Sequence, residues 1–145
     1  MAYLDSVAEL ERSSLSKYAK KSTESAGRKT SLTPDPNRTE FERDIHRILQ
    51  SWPFRRLRNK AQVFYAPKND HICTRLEHAL HVAAISKTIC KHLRLNVDLA
   101  EAISLAHDLG HPPFGHIGED ILKRLHERNH LPVFKHEAQS LRVID

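Results

Sequence analysis

His107-Asp108-Leu109-Gly110-His111-Pro112-Pro113-Phe114-Gly115-His116-Ile117-Gly118-Glu119 closes one helix, turns the chain and opens the next. Before it, Leu99, Ala102, Ile103 and Ala106 recur at helical spacing and predict a helix running to about Leu109. Two prolines cannot continue that helix, because they lack the N–H and crowd the preceding turn. After it, a helix is predicted from Gly115 or His116, with Ile117, Ile121, Leu122 and Leu125 as its inner stripe. Working outward, Arg75 to Leu93 reads as a long helix covered by Leu76, Leu80, Ala83, Ala84, Ile85, Ile89 and Leu93. Asn96 to Asp98 supply the turn and N-cap between the two. Glu40 to Leu49 carries Phe41, Ile45, Ile48 and Leu49 on one side and is stopped at Pro53. Val63-Phe64-Tyr65 is expected to be briefly extended, Pro67-Lys68-Asn69-Asp70 to be a loop, and Phe134 to Asp145 to begin a last helix. The pattern is all-α.

Residues 1–38 are rich in Ser, Lys and Thr and end in Leu32-Thr33-Pro34-Asp35-Pro36. So little apolar surface predicts a flexible basic arm, ordered only against a partner, ahead of a helical domain at residues 39–145. No run of 18 apolar residues occurs, which excludes a transmembrane helix, and no signal peptide is visible. Cys73 and Cys90 lack the spacing of a zinc or redox motif and predict a reduced, cytoplasmic protein. The net charge is +5, with basic residues gathered at Lys17 to Lys29 and at Arg55-Arg56-Arg58-Lys60. Such an excess suits phosphate-bearing partners, from nucleotides to single-stranded nucleic acid, and charge alone fits a solvated surface equally well.

His107 and Asp108 follow the buried side of a helix, where a charge is costly unless paired or metal-bound. A divalent cation accepts this mixture of imidazole nitrogen and carboxylate oxygen. For an isolated His-Asp pair, a capped helix end with a surface carboxylate is the stronger reading. His78 changes the balance: Val82, Ile85 and Ile89 follow it at helical spacing, so it belongs near the inner face of the preceding helix. Two histidines on consecutive antiparallel helices can meet across their interface. His116 and Glu119 are three residues apart and share a face, as a proton-transfer pair requires. The start of that helix also offers unpaired N–H groups to a phosphate.

The stretch resembles the deoxynucleoside triphosphate triphosphohydrolases, the dGTPase-like branch of the HD superfamily. Thr74-Arg75-Leu76-Glu77-His78, Phe54-Arg55-Arg56-Leu57, Lys60-Ala61-Gln62-Val63-Phe64, Phe134-Lys135-His136-Glu137 and Gln139-Ser140-Leu141-Arg142 carry the resemblance further. Leu15-Ser16-Lys17-Tyr18-Ala19 and Gly27-Arg28 extend it into the arm. It implies the N-terminal part of the HD-domain phosphohydrolase fold, and hydrolysis of a dNTP such as dGTP to deoxynucleoside and intact triphosphate. By position, it implies metal ligation by His78, His107 and Asp108, and a catalytic pair in His116 and Glu119. His111 and His136 would approach the phosphates. Gln62 would read the sugar 3′-OH, Val63 would crowd a ribose 2′-OH, and Arg75 would lie near the α-phosphate and base. Ligand hardness favours Mn2+ or Mg2+, with Fe, Ni, Co and Zn also compatible. The family suggests a homo-oligomer.

Glu137 departs from the His-Asn common in the family and could repel phosphate or tune His136. The resemblance also implies a fourth ligand, an aspartate beyond residue 145, and a downstream tyrosine and aspartate at the sugar pocket. On that reading the sequence is a C-terminally shortened member. Two other readings stand: another HD-type phosphohydrolase acting on a nucleotide monophosphate or cyclic ester, or a chain that binds nucleotide or nucleic acid, or joins an oligomer, without turnover. Gln62 and the His116–Glu119 pair argue against the first of these. His46, His71, His81, His92, His126 and His130 match no motif position and read as surface residues, and Trp52 reads as a core anchor.

Overall fold

The structure, a computed structural model, describes residues 3–30, 32–60 and 71–144. The described residues form helices α1 (Tyr3–Ser14), α2 (Glu40–Gln50), α3 (Trp52–Arg56), α4 (Arg75–Leu93), α5 (Val97–Ala106), α6 (Gly115–Arg128) and α7 (His136–Ile144). Short 3-10 turns lie at Ser22–Glu24 and Leu57–Asn59. No strand occurs among the described residues, as the all-α reading requires. The expectations for Gln62, for Val63 to Tyr65 and for the loop at 67–70 lie outside the described residues.

Local chemistry sets the helix starts. Thr39 caps α2, its hydroxyl accepting from Glu42 N–H at 3.2 Å while the Glu42 carboxylate accepts from Thr39 N–H at 2.7 Å. Thr74 and Glu77 repeat this reciprocal arrangement on α4, so two N–H groups that a helix start leaves open are satisfied at once. Asn96 caps α5 through its side-chain oxygen, 3.0 Å from Leu99 N. Helix α4 ends at Arg94, which takes the left-handed conformation (φ 53°), and Leu95 N–H bonds back to Cys90 C=O at 2.8 Å.

The core lies where α4 and α2 pack on α5. Its members include Ile48, Phe54, Leu57, Leu105 and Leu109, with Ala83, Ala102 and Ala106 allowing close approach of α4 and α5. The buried face of α4 is Arg75, Ala79 and Ala83. Leu80, Ile85, Ile89 and Leu93, expected to cover that helix, are exposed. The expected inner stripe of α6 is likewise exposed at Ile117, Ile121 and Leu125, and the helix buries Gly118 and Glu119 instead. Periodicity marks an apolar face; it does not say what lies against it. Trp52 is not a core anchor: it is 74% exposed at the first position of α3, with the Arg55 guanidinium 5.4 Å from its ring, while Phe54 points into the core.

The segment expected to be an arm has more structure than its composition implies. Glu11 of α1 is buried and accepts from Ser22 N–H and Oγ, both at 2.9 Å, and from Asn96 Nδ2 at 2.9 Å. That one carboxylate joins α1, the first 3-10 turn and the cap of α5. Ser16 N–H donates to Arg94 C=O at 2.7 Å, Tyr3 reaches Glu42, and Arg28 pairs with Asp44. Polar anchoring holds α1 here, where composition counts only apolar burial. No described helix is long and apolar enough to cross a membrane.

Candidate functional site

Helix α5 ends at Ala106, three residues before the expected Leu109, and the next residues turn more tightly. Leu109 N–H bonds to Ala106 C=O at 3.1 Å and His111 N–H to Asp108 C=O at 3.2 Å. This turn points Asp108 and His111 inward, where both are buried. Ser140 of α7 pins it, donating from its hydroxyl to His107 C=O at 2.9 Å and accepting from Gly110 N–H at 2.9 Å. A side chain at Gly110 would overlap the backbone of His136 and Ser140, so only glycine lets α7 sit this close. A side chain at Gly118 would overlap the Pro113 carbonyl in the same way, which fixes α6 against the turn.

His78 on α4 meets His107 across the helix interface, ring centroids 5.4 Å apart and edge-on. His78, His107 and Asp108 each offer a ligand atom within 4.8 Å of the others. His107 Nδ1 lies 2.7 Å from Ser104 C=O, which places the ring proton there and leaves Nε2, 3.4 Å from Asp108 Oδ1, as a lone-pair donor. Two imidazoles and a carboxylate, one ring oriented by a backbone carbonyl, form a group that could hold a divalent metal. The other oxygen of Asp108 accepts from Arg75 NH1 at 2.8 Å, and both side chains are almost fully buried.

The remaining predicted residues gather beside this group. His111 Nε2 lies 3.5 Å from Asp108 Oδ1, and its ring stacks on His136 at 4.0 Å. Burial, then the nearby Arg75 charge, pushes the His111 imidazole down to about 4, so it is neutral at pH 7. Glu119 is buried on α6; desolvation opposes its charge, but hydrogen bonds from His136 and Lys123 hold its carboxyl below the usual range. His136 Nδ1 is 3.0 Å from Glu119 Oε2, whereas His116 Nδ1 is 3.7 Å away and its side chain is 79% exposed. In this structure His136, not His116, makes the hydrogen bond to Glu119. Gln62 lies outside the described residues.

An open cleft of about 990 Å³ runs along His111 and His116, lined also by Arg56, Lys60, Arg75 and Arg142. Lys60, read from the sequence only as part of a basic cluster, donates to His111 C=O at 2.7 Å. Its ammonium is partly desolvated and close to Arg75 and Arg56, which lowers its pKa. A basic residue at the end of a short turn carries no periodic signal, so only the fold brings it to the site. The cleft wall therefore presents fixed positive charge beside a metal-competent group.

Residues 75–144 match the family described as HD domain. A deoxyguanosinetriphosphate triphosphohydrolase-like protein of Caldanaerobacter subterraneus subsp. tengcongensis is 52% identical over 94% of this chain and 39% of its own length. Another so named, from Desulfatibacillum aliphaticivorans, is 53% identical over 90% of this chain and 36% of its length. A third, from Geobacter metallireducens, is 49% identical over 93% of this chain and 34% of its length. The chain thus spans between 34% and 39% of these three curated relatives.

Proposed function

The chain belongs to the HD superfamily in its dGTPase-like branch, and from that premise we propose that it contributes to metal-dependent hydrolysis of a deoxynucleoside triphosphate, releasing deoxynucleoside and triphosphate. The observation that carries this reading is the convergence of His78, His107 and Asp108 into one group beside His111, itself on the wall of a positively lined cleft. His78, His107 and Asp108 would hold the ion, Mn2+ or Mg2+ on ligand hardness. A bound divalent ion supplies a Lewis acid that polarises a phosphoryl oxygen and orients the reacting groups.

The chain's own side chains account for the rest. Arg75, Lys60 and neutral His111 face the phosphates, and charge built up there during bond breaking is stabilised by the two cations. Glu119 keeps its charge and orients an imidazole for proton transfer to the leaving oxygen at the α-phosphate. His136 already holds that hydrogen bond, and His116, exposed at the cleft mouth, closes on Glu119 when substrate arrives. Gln62, by its resemblance, reads the sugar 3′-OH. Free Cys73 and Cys90 agree with a reducing, cytoplasmic setting.

Incubation with dGTP and Mn2+, followed by product analysis, tests the proposal. Triphosphate release that falls at least a hundredfold in His116→Ala supports it. Monophosphate products point to another HD phosphohydrolase, and nucleotide binding without turnover points to a binding role. Full triphosphate release by His116→Ala would remove His116 from the mechanism.

A further inference from the structure

Ser140 of α7 is buried, and no step proposed above uses its hydroxyl. We infer that Ser140 is a positioning residue that couples the group of His78, His107 and Asp108 to α7. Filling that group then orders α7, and with it His136. The coupling rests on the metal reading above and gives that reading a partner on a separate helix.

The hydroxyl donates to His107 C=O and accepts from Gly110 N–H, each at 2.9 Å. These two groups flank Asp108 in the chain, so one oxygen clasps the segment that carries His107 and Asp108. Helix α5 stops at Ala106, and neither group has another backbone hydrogen bond among the described residues. A hydroxyl can donate and accept at the same atom, which a methyl group cannot. Its removal would leave both groups unpaired, Gly110 in a buried position. His107 is thereby held from two sides, its ring by Ser104 C=O at 2.7 Å and its backbone by Ser140. Such outer partners set the orientation of a ligand and its affinity for an ion.

The other end of the link is α7 itself. The core forms where α2 and α4 pack on α5, and α7 reaches it through the partly buried Val143 and Ile144. A helix of 9 residues is marginal by itself, so its order depends on what ties it to the rest. Ser140 and His136 are one turn apart and share a face, and His136 Nδ1 lies 3.0 Å from Glu119 Oε2. An ion drawn to His107 and Asp108 fixes the turn, the fixed turn holds Ser140, and α7 then holds His136 at the cleft. Coupling of this kind is reciprocal: an ordered α7 strengthens ion binding by the factor by which the ion orders α7.

Mn2+ titration of the full 145-residue chain, with free ion counted by electron paramagnetic resonance, tests the coupling without turnover when paired with amide exchange of α7. In wild type, Mn2+ is expected to slow exchange across α7 by about tenfold, and His78→Ala should abolish that response. Ser140→Ala should weaken Mn2+ binding by about tenfold and uncouple α7 from the ion, whereas Ser140→Thr, which keeps the hydroxyl, should restore part of both. Val143→Ala loosens α7 without touching the hydroxyl, so exchange should quicken while the response to Mn2+ persists. Far-UV circular dichroism confirms that each variant is folded. The coupling is overturned if folded Ser140→Ala binds Mn2+ as wild type does, or if Val143→Ala uncouples α7 as fully as Ser140→Ala. Wild type that binds Mn2+ through His78 with no change in α7 overturns the coupling and leaves the metal reading standing. Wild type that binds no Mn2+ overturns both.

Discussion

Asp108 and Arg75 hold opposite charges almost wholly out of water, 2.8 Å apart. Such a pair gains little over apolar neighbours of the same shape, but either charge left alone is costly. Asp108→Ala is therefore expected to lower the stability of the metal-free chain by about 3–5 kcal/mol, read from urea unfolding. Arg75→Met combined with Asp108→Leu should recover most of that loss, and a double variant as unstable as Asp108→Ala would contradict the account. At this scale His107, Asp108 and His78 were legible in the sequence, because imidazoles and a carboxylate stood out against apolar helical neighbours. The contacts of Ser140 and Lys60 were not. Their types are ordinary, and their partners lie 30 and 51 residues away in the chain.

Helices α4, α5, α6 and α7 were all visible in the sequence, and α4 spans Arg75 to Leu93, where its apolar spacing placed it. What each buries was less visible, because α4 packs through alanines and α6 through Gly118 and Glu119. Close approach is also what holds α7. Gly110→Ala should push α7 off the turn, with a loss of about 1–3 kcal/mol and faster amide exchange at Gly110 and Gln139. Unchanged exchange would mean that α7 is held elsewhere. The start of α5 makes a separate prediction. Burial raises the Asp98 pKa first, Glu42, Glu101 and Glu11 add to it, and Lys87 opposes it. An acid whose folded pKa is raised weakens the fold while charged, and that penalty fades as pH falls through the folded pKa. Asp98→Asn should then raise Tm at pH 7, with the advantage shrinking as pH approaches 3.8, the ordinary value for the group. A Tm lowered at pH 7 would show that its attraction to the α5 N-terminus is the larger effect.

Across the whole molecule, burial is concentrated in few residues. Leu57 and Leu105 are the largest side chains fully enclosed among the described residues, whereas Ile85, Ile89 and Ile103 are more than half exposed. Hydrophobic stabilisation follows the area removed from water, so apolar residues of equal size should differ sharply in what they contribute. Leu105→Ala leaves a cavity between α2, α4 and α5 and is expected to cost about 2–5 kcal/mol. Ile89→Ser changes an exposed helix position between residues of similar helix propensity and is expected to stay within about 0.5 kcal/mol. Urea unfolding of the two variants side by side measures this contrast. A comparable loss from Ile89→Ser would mean that the outer face of α4 is covered in solution, which its exposure in the single chain does not provide.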